Sequence, residues 1–134
     1  MEITYKINEQ VNAQQYIDVL NRSTLGTRRP VDDPQRIQKM LDHANLLITA
    51  WDNDKLVGVS RSLTDFAFCC YLSDLAVDVA YQKRGIGKRL IELTNQESTD
   101  QSMLLLLSAP MAMDYYPGVG FDKVENGFII QRKI

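Results

Sequence analysis

Apolar residues alternate at Ile3, Tyr5 and Ile7 and then change to helical spacing at Ala13, Tyr16, Ile17 and Leu20. The first pattern predicts a strand and the second an amphipathic helix. After a loop through Gly26 and Pro30, Asp33 before Pro34 supplies an N-cap and first-turn pair, and Ile37, Met40, Leu41 and Ala44 form one face of a second helix. From Leu46 the period shortens. LLITAWDNDKLVGVSRSL reads as two strands joined at Asp52-Asn53-Asp54, and a turn near Thr64-Asp65 leads into a third, FAFCCYLSDLAV. Ile86, Leu90, Leu93 and Thr94 share one side of a later helix, with Gln96 and Glu97 left to water, as on a helix covering a sheet. MLLLLS at 103–108 is wholly apolar and predicts a buried central strand. AMDYYP predicts a short helix ended by Pro117, and Phe121–Val124 and Phe128–Arg132 around Glu125-Asn126-Gly127 predict a C-terminal hairpin.

The sum is an α/β architecture of mixed α+β type, one domain over residues 1–134, with helices on the faces of a mixed sheet. No repeat, low-complexity tract or linker interrupts it. Its 134 residues, 45% hydrophobic, suffice to bury about two thirds of the unfolded surface in a single core. Fifteen Lys and Arg against 17 Asp and Glu leave a formal charge of −2, which gives no general attraction to nucleic acid, so any anion site must be local. The only cysteines, the neighbours Cys69 and Cys70, cannot staple a loop and read as reduced and intracellular. MEITYKINEQ lacks a signal-peptide core, and no apolar window is long enough to span a membrane; a cytoplasmic protein is expected.

The one local concentration of cations is QKRGIGKRL, residues 82–90, between a strand ending near Val77 and a helix starting near Gly85. Unpaired N–H groups and the positive dipole end of a helix bind phosphate oxygens, and glycines at 85 and 87 remove the Cβ atoms that would hold a phosphate off the backbone. On spacing alone it is equally a glycine turn with a solvated basic face. A P-loop fails, because Gly87-Lys88 is followed by Arg89 and position 82 is Gln, not Gly. A dinucleotide fingerprint fails too, because position 90 is Leu and several elements come first.

LSDLAVDVAYQKRGIGKRL resembles the acyl-CoA signature of the GNAT superfamily of N-acetyltransferases, an apolar strand end followed by Q/R-x-x-G-x-G/A. DYYPGVGF, about thirty residues on, resembles the superfamily's second landmark, with Tyr116, Gly120 and Phe121 at the matching places. The wording is similar to that of short, single-domain bacterial and plastid members, and the motifs cover roughly residues 46–132. The resemblance implies a mixed, mostly antiparallel sheet of about six to seven strands flanked by about four helices. It implies acetyl-CoA as cosubstrate and an amine acceptor as partner; the single His and the adjacent Cys pair make a metal site unexpected, and the charge and apolar pattern above argue against nucleic acid and membrane. Leu75, Ala76 and Val77 would pair through their backbone with the pantetheine arm. The amides of Lys83, Arg84, Gly85, Ile86, Gly87 and Lys88 would hold the pyrophosphate, with Gln82 shaping the entry to the loop. The Leu75 N–H would donate to the thioester oxygen, and Tyr116 would protonate the leaving thiolate. The family also offers homodimers through C-terminal strands, for which Phe128-Ile129-Ile130 has the β-propensity.

The sequence departs from the family pattern at the base. Glu or His often stands where this chain has Tyr71, and sometimes a second His where it has Ser73, so amine deprotonation would run along water past these two residues. Asp74 lies beside them, but strand alternation aims it to the opposite face unless a bulge intervenes. Ala109 stands where many members have Asn, with Ser108 as a substitute. His43, at a helix end, is read as a dipole contact, Trp51 as sheet packing and Asp33 as a cap. Two functions follow: an N-acetyltransferase acting on a primary amine by direct attack in a ternary complex, or a non-catalytic acyl-CoA-binding module. Acceptor choice would reside in about residues 11–45.

Overall fold

Asn12 opens helix α1, Ala13–Arg22, with a capping box: its side chain accepts from Gln15 N, and the Gln15 side chain accepts from Asn12 N. Asp33 caps helix α2, Pro34–His43, by accepting from Arg36 N at 3.1 Å, with Pro34 in the first turn where its missing N–H costs nothing. His43, the last residue of α2, keeps its Nδ1 2.9 Å from Lys39 O, the helix-end role expected of it. Helix α3 runs Ile86–Glu97. These elements belong to a computed structural model that describes residues 2–134.

Five strands, β1 Thr4–Ile7, β2 Leu46–Asp52, β3 Lys55–Thr64, β4 Cys69–Val77 and β5 Met103–Leu105, form one sheet in the order β1-β2-β3-β4-β5. The first four pair antiparallel and β5 joins β4 in parallel, as the α3 crossover requires. The Asn53-Asp54 loop between β2 and β3 works because Asn53 adopts the left-handed conformation, φ 53°. Helices α1 and α2 cover one face through Tyr16, Val19, Leu20 and Ile37, and α3 covers the other through Ile86, Leu90 and Leu93. No helix among the described residues is long and apolar enough to cross a membrane.

Four expectations are corrected. The described residues hold five strands and three α-helices, not six to seven and four. MLLLLS is the sheet's edge, not its centre: β5 is three residues long, and Met103 and Leu107 are 57% and 63% exposed. An apolar run reports that a strand is wanted, not how many neighbours it has. AMDYYP forms no helix of its own: residues 113–116 are a turn between two short 3-10 turns, Pro110–Ala112 and Pro117–Val119. The C-terminal hairpin does not form within the chain either. A two-stranded hairpin is marginal unless its apolar face packs, and Phe128 and Ile130 are almost fully exposed.

Candidate active site

A slip in the β3–β4 ladder creates the site. Arg61 faces Asp74 and Ser62 faces Leu72, so Ser73 is an extra residue in β4, a β-bulge. The bulge inverts the alternation of side chains. Cys70 packs on the α3 side, and so do Leu75 and Val77, odd numbers of residues away, whereas Ala76 turns to the α1 side. β5 pairs only with Cys69–Tyr71 and leaves β4 where the bulge bends it. A cleft of about 480 Å³ opens between Leu75–Val77 on one strand and Leu106 and Leu107 past the other.

Four groups, three of them buried and Arg29 partly exposed, hold the bulge. Asp74, fully buried, accepts from Tyr16 Oη at 2.7 Å, Arg29 Nε at 2.6 Å and Arg61 Nε at 2.6 Å. The same guanidiniums serve the extra residue: Arg29 Nη2 donates to Ser73 O at 2.6 Å and Arg61 Nη2 to Ser73 Oγ at 3.1 Å. Burial alone pushes the Asp74 carboxyl up, but bonding to Arg61 and the charges of Arg61 and Arg29 outweigh it and hold the carboxyl below its usual range. Tyr16 stays protonated, since burial and the Asp74 charge push its phenol well up. Asp74 is thus a fixed anion on the α1 side, held away from the cleft.

The glycine loop forms the cleft's other end. Asp78 ends β4 and closes the next turn by accepting from Ala80 N at 2.9 Å, and it is fixed by Arg22 Nη1 at 2.5 Å. Gln82 Nε2 donates back to Val77 O at 3.1 Å. Lys83 and Gly85 both adopt left-handed backbone, φ 65° and 81°, a geometry that turns successive amides toward one concave side. Gly85 is the N-cap of α3 and has no side chain to occupy the first-turn N–H groups, so these stay available to an anion. A Cβ on Gly87 would lie 2.8 Å from Tyr115 Oη, so this glycine keeps the loop's inner wall clear. The residues present fit a diphosphate-bearing ligand.

Tyr115 and Tyr116 form the wall opposite β4. Tyr116 packs edge-on against Phe121 and Tyr115, with centroids 5.5 and 5.2 Å away, and lines the cleft as well. Burial, and to a lesser degree Tyr115, push its phenol up while Arg29 pulls it down; the net direction is up, so it carries its proton at neutral pH.

Leu75, Ala76, Val77, Ser73, Gln82, Lys83, Gly85, Ile86, Gly87, Lys88 and Tyr116 all line this one cleft. Tyr71 and Arg84 do not. Tyr71 precedes the bulge and is 38% exposed, and Arg84 stacks over the Tyr81 ring at 5.4 Å. Ala109 lines the cleft, whereas Ser108 bonds its neighbour's carbonyl, Oγ to Ala109 O at 2.8 Å. Sequence reasoning missed Arg28, Arg29 and Tyr115. The only signal for the first two was a pair of cations in the loop LGTRRP. Cys70 is buried, and burial followed by the Asp65 charge holds the Cys69 thiol above its usual value, so neither thiol is primed as a nucleophile.

A sequence profile of the acetyltransferase (GNAT) domain family matches residues 19–131. An uncharacterized ycf52-like N-acetyltransferase of Prochlorococcus marinus is 26% identical over 117 residues, 83% of this chain and 63% of that protein. The chain spans less than two thirds of the length of its first curated relatives, down to 29% for a chloroplastic GCN5-related N-acetyltransferase of Arabidopsis thaliana that is 32% identical over 54% of this chain. Among solved structures, a GNAT-family acetyltransferase of Streptococcus pneumoniae superposes with a TM-score of 0.73 at 24% identity, covering 98% of this chain and 100% of that one. The aminoglycoside acetyltransferase AAC(6')-Iy, solved with a CoA-containing bisubstrate analogue, superposes with a TM-score of 0.75 at 13% identity over the whole of both chains.

Proposed function

This chain belongs to the GNAT acetyltransferase family, and from that premise we propose that it transfers an acetyl group from acetyl-CoA to a primary amine by direct attack in a ternary complex. The observation that supports this most is a single cleft joining an anion-ready loop at the α3 N-terminus to a protonated phenol, Tyr116. The pyrophosphate rests on the amides of Lys83–Lys88, and the pantetheine arm lies along the edge of Leu75–Val77 that β5 leaves open. The neutral amine attacks the acetyl carbonyl carbon, while the Leu75 N–H stabilises the charge on its oxygen. The C–S bond breaks as the C–N bond forms, Tyr116 gives its proton to the thiolate, and the amine's excess proton passes to water by way of Ser73. A proton from solvent then restores Tyr116. The competing reading, a module that binds acyl-CoA without turnover, predicts no thiol release whichever amine is added.

Binding is tested apart from chemistry. Coenzyme A raises the melting temperature by linkage, ATP with magnesium does not substitute, and Gly87→Glu abolishes the rise. The variant folds, because the one close approach of its Cβ is to the far end of Tyr115, itself 41% exposed, while Val77 Cγ2 lies at an ordinary 3.8 Å. An unchanged coenzyme A shift in folded Gly87→Glu removes the loop from the site.

Assembly is part of the same proposal. Among the described residues, 122–134 form no backbone–backbone hydrogen bond, Phe128 and Ile130 are 99% and 97% exposed, and the outer edge of β5 has no strand beside it. Two unpaired β-prone segments in one chain complement each other across two copies. Sedimentation at micromolar concentration gives a dimer, reduced to monomer by Phe128→Asp with Ile130→Asp; a monomeric parent protein contradicts this.

A further inference from the structure

The acceptor's end of the cleft has a charge and a chemistry of its own. Past Leu75, away from the glycine loop, the lining consists of Leu72, Ser73 and the α1–α2 connection from Ser23 to Arg29. Two guanidiniums, Arg28 and Arg29, stand here. Arg29 is bound by Asp74, which also binds Arg61, so this cluster keeps one net positive charge. Arg28 is exposed and has no ion pair among the described residues. The lining of the whole cleft contains no Asp, Glu or His.

Two consequences follow. A polycationic acceptor finds no carboxylate to bind and two cations that repel it, whereas a carboxylate beside the reacting amine finds Arg28. With no general base in the cleft, the amine must arrive neutral. At pH 7 about 15% of a peptide α-amine is neutral against about 0.04% of a lysine ε-amine, from their ordinary pKa values, whereas the α-amine of a free amino acid is held protonated by its own α-carboxylate. The greater nucleophilicity of the ε-amine returns only part of that difference. The local positive charge disfavours protonated amines further.

Resting on the acetyltransfer reading above, we propose that the acceptor is a peptide α-amine with a carboxylate close by, the chemistry of peptides with an acidic amino-terminal residue. Lysine side chains, polyamines and aminoglycosides are disfavoured by the same site.

The test compares kcat/KM at pH 7 for peptides beginning Glu-Glu, Gln-Gln and Lys-Lys, for free glutamate, for Nα-acetyl-lysine and for spermidine. The peptide α-amines exceed Nα-acetyl-lysine by roughly tenfold or more. The Glu-Glu peptide exceeds the Gln-Gln peptide by about three- to tenfold. A preference for free glutamate over the Glu-Glu peptide overturns the inference. Arg28→Glu, on an exposed side chain that folding does not need, reverses the carboxylate preference while leaving the coenzyme A melting shift intact. Titration of the Glu-Glu peptide into protein saturated with coenzyme A shows binding that Arg28→Glu weakens to the same degree, a readout independent of turnover. Equal rates for the charged and amide acceptors, or a preference for spermidine or Nα-acetyl-lysine, overturn this inference and leave acetyl transfer standing. Absence of thiol release with every amine overturns the acetyltransfer reading and this inference with it.

Discussion

Asp74→Asn lowers stability by about 3–5 kcal/mol, the cost of leaving buried cations without their anion. For a chain of this length that is a fall of roughly 10–20 °C in melting temperature. The reason is specific to this carboxylate. It is fully buried, two guanidinium Nε atoms lie 2.6 Å from it, and an asparagine offers Arg29 and Arg61 one uncharged oxygen instead of two charged ones. Tyr16→Phe, which removes one neutral donor from the same carboxylate, costs less, about 1.5–3 kcal/mol. The pH dependence has a definite sign. Because the folded-state pKa of Asp74 lies below the unfolded value, its contribution is complete above about pH 4 and is lost only as pH falls through the folded value. The deficit of Asp74→Asn measured by denaturant titration is therefore constant from pH 5 to 8 and shrinks below 4. A loss under 1 kcal/mol at pH 7 would show that the bulge stands without its anion.

Tyr116→Phe keeps the fold and the coenzyme A melting shift and lowers kcat by roughly ten- to a thousandfold, the range for a positioned general acid. The hydroxyl makes no hydrogen bond that holds the structure, and the ring contacts with Phe121 and Tyr115 survive its removal. Stability therefore changes little, and any rate loss reports chemistry. Burial raises this phenol above its usual value near 10, so wild-type rates rise with pH as the amine deprotonates and do not fall until the solution is strongly alkaline. An unchanged kcat in Tyr116→Phe assigns the ring to packing alone.

Much of the loop end of the cleft was legible because its signals are local. Gly85 and Gly87 before an apolar helical period mark a helix start with free amides, and Tyr116 lies five residues before Phe121 in one short landmark. The helices α1 and α2 were equally plain in their caps, Asn12 excepted. Residues 11–45 were expected to set acceptor choice, but the Asp74 cluster was not legible, because it is built from contacts far apart in sequence. Asp74 meets Tyr16 58 positions away and Arg29 45 positions away, and no local pattern announces such a cluster. The bulge at Ser73 leaves the apolar rhythm of CCYLSDLAV intact, yet it turns Leu75 and Val77 to the other face. Strand count failed for a related reason. Phe128-Ile129-Ile130 has strand propensity, but propensity does not supply a neighbouring edge.

The central claim is acetyl transfer by direct attack in this cleft, and a single-turnover experiment tests it most directly. Protein in excess over acetyl-CoA is mixed with an amine acceptor, and free thiol and N-acetylated product are followed together. Both appear in equal amounts with one rate constant that grows with amine concentration, and no thiol is released without amine. Thiol release that precedes the acetylated amine, or no release with any amine while coenzyme A still binds, would contradict it.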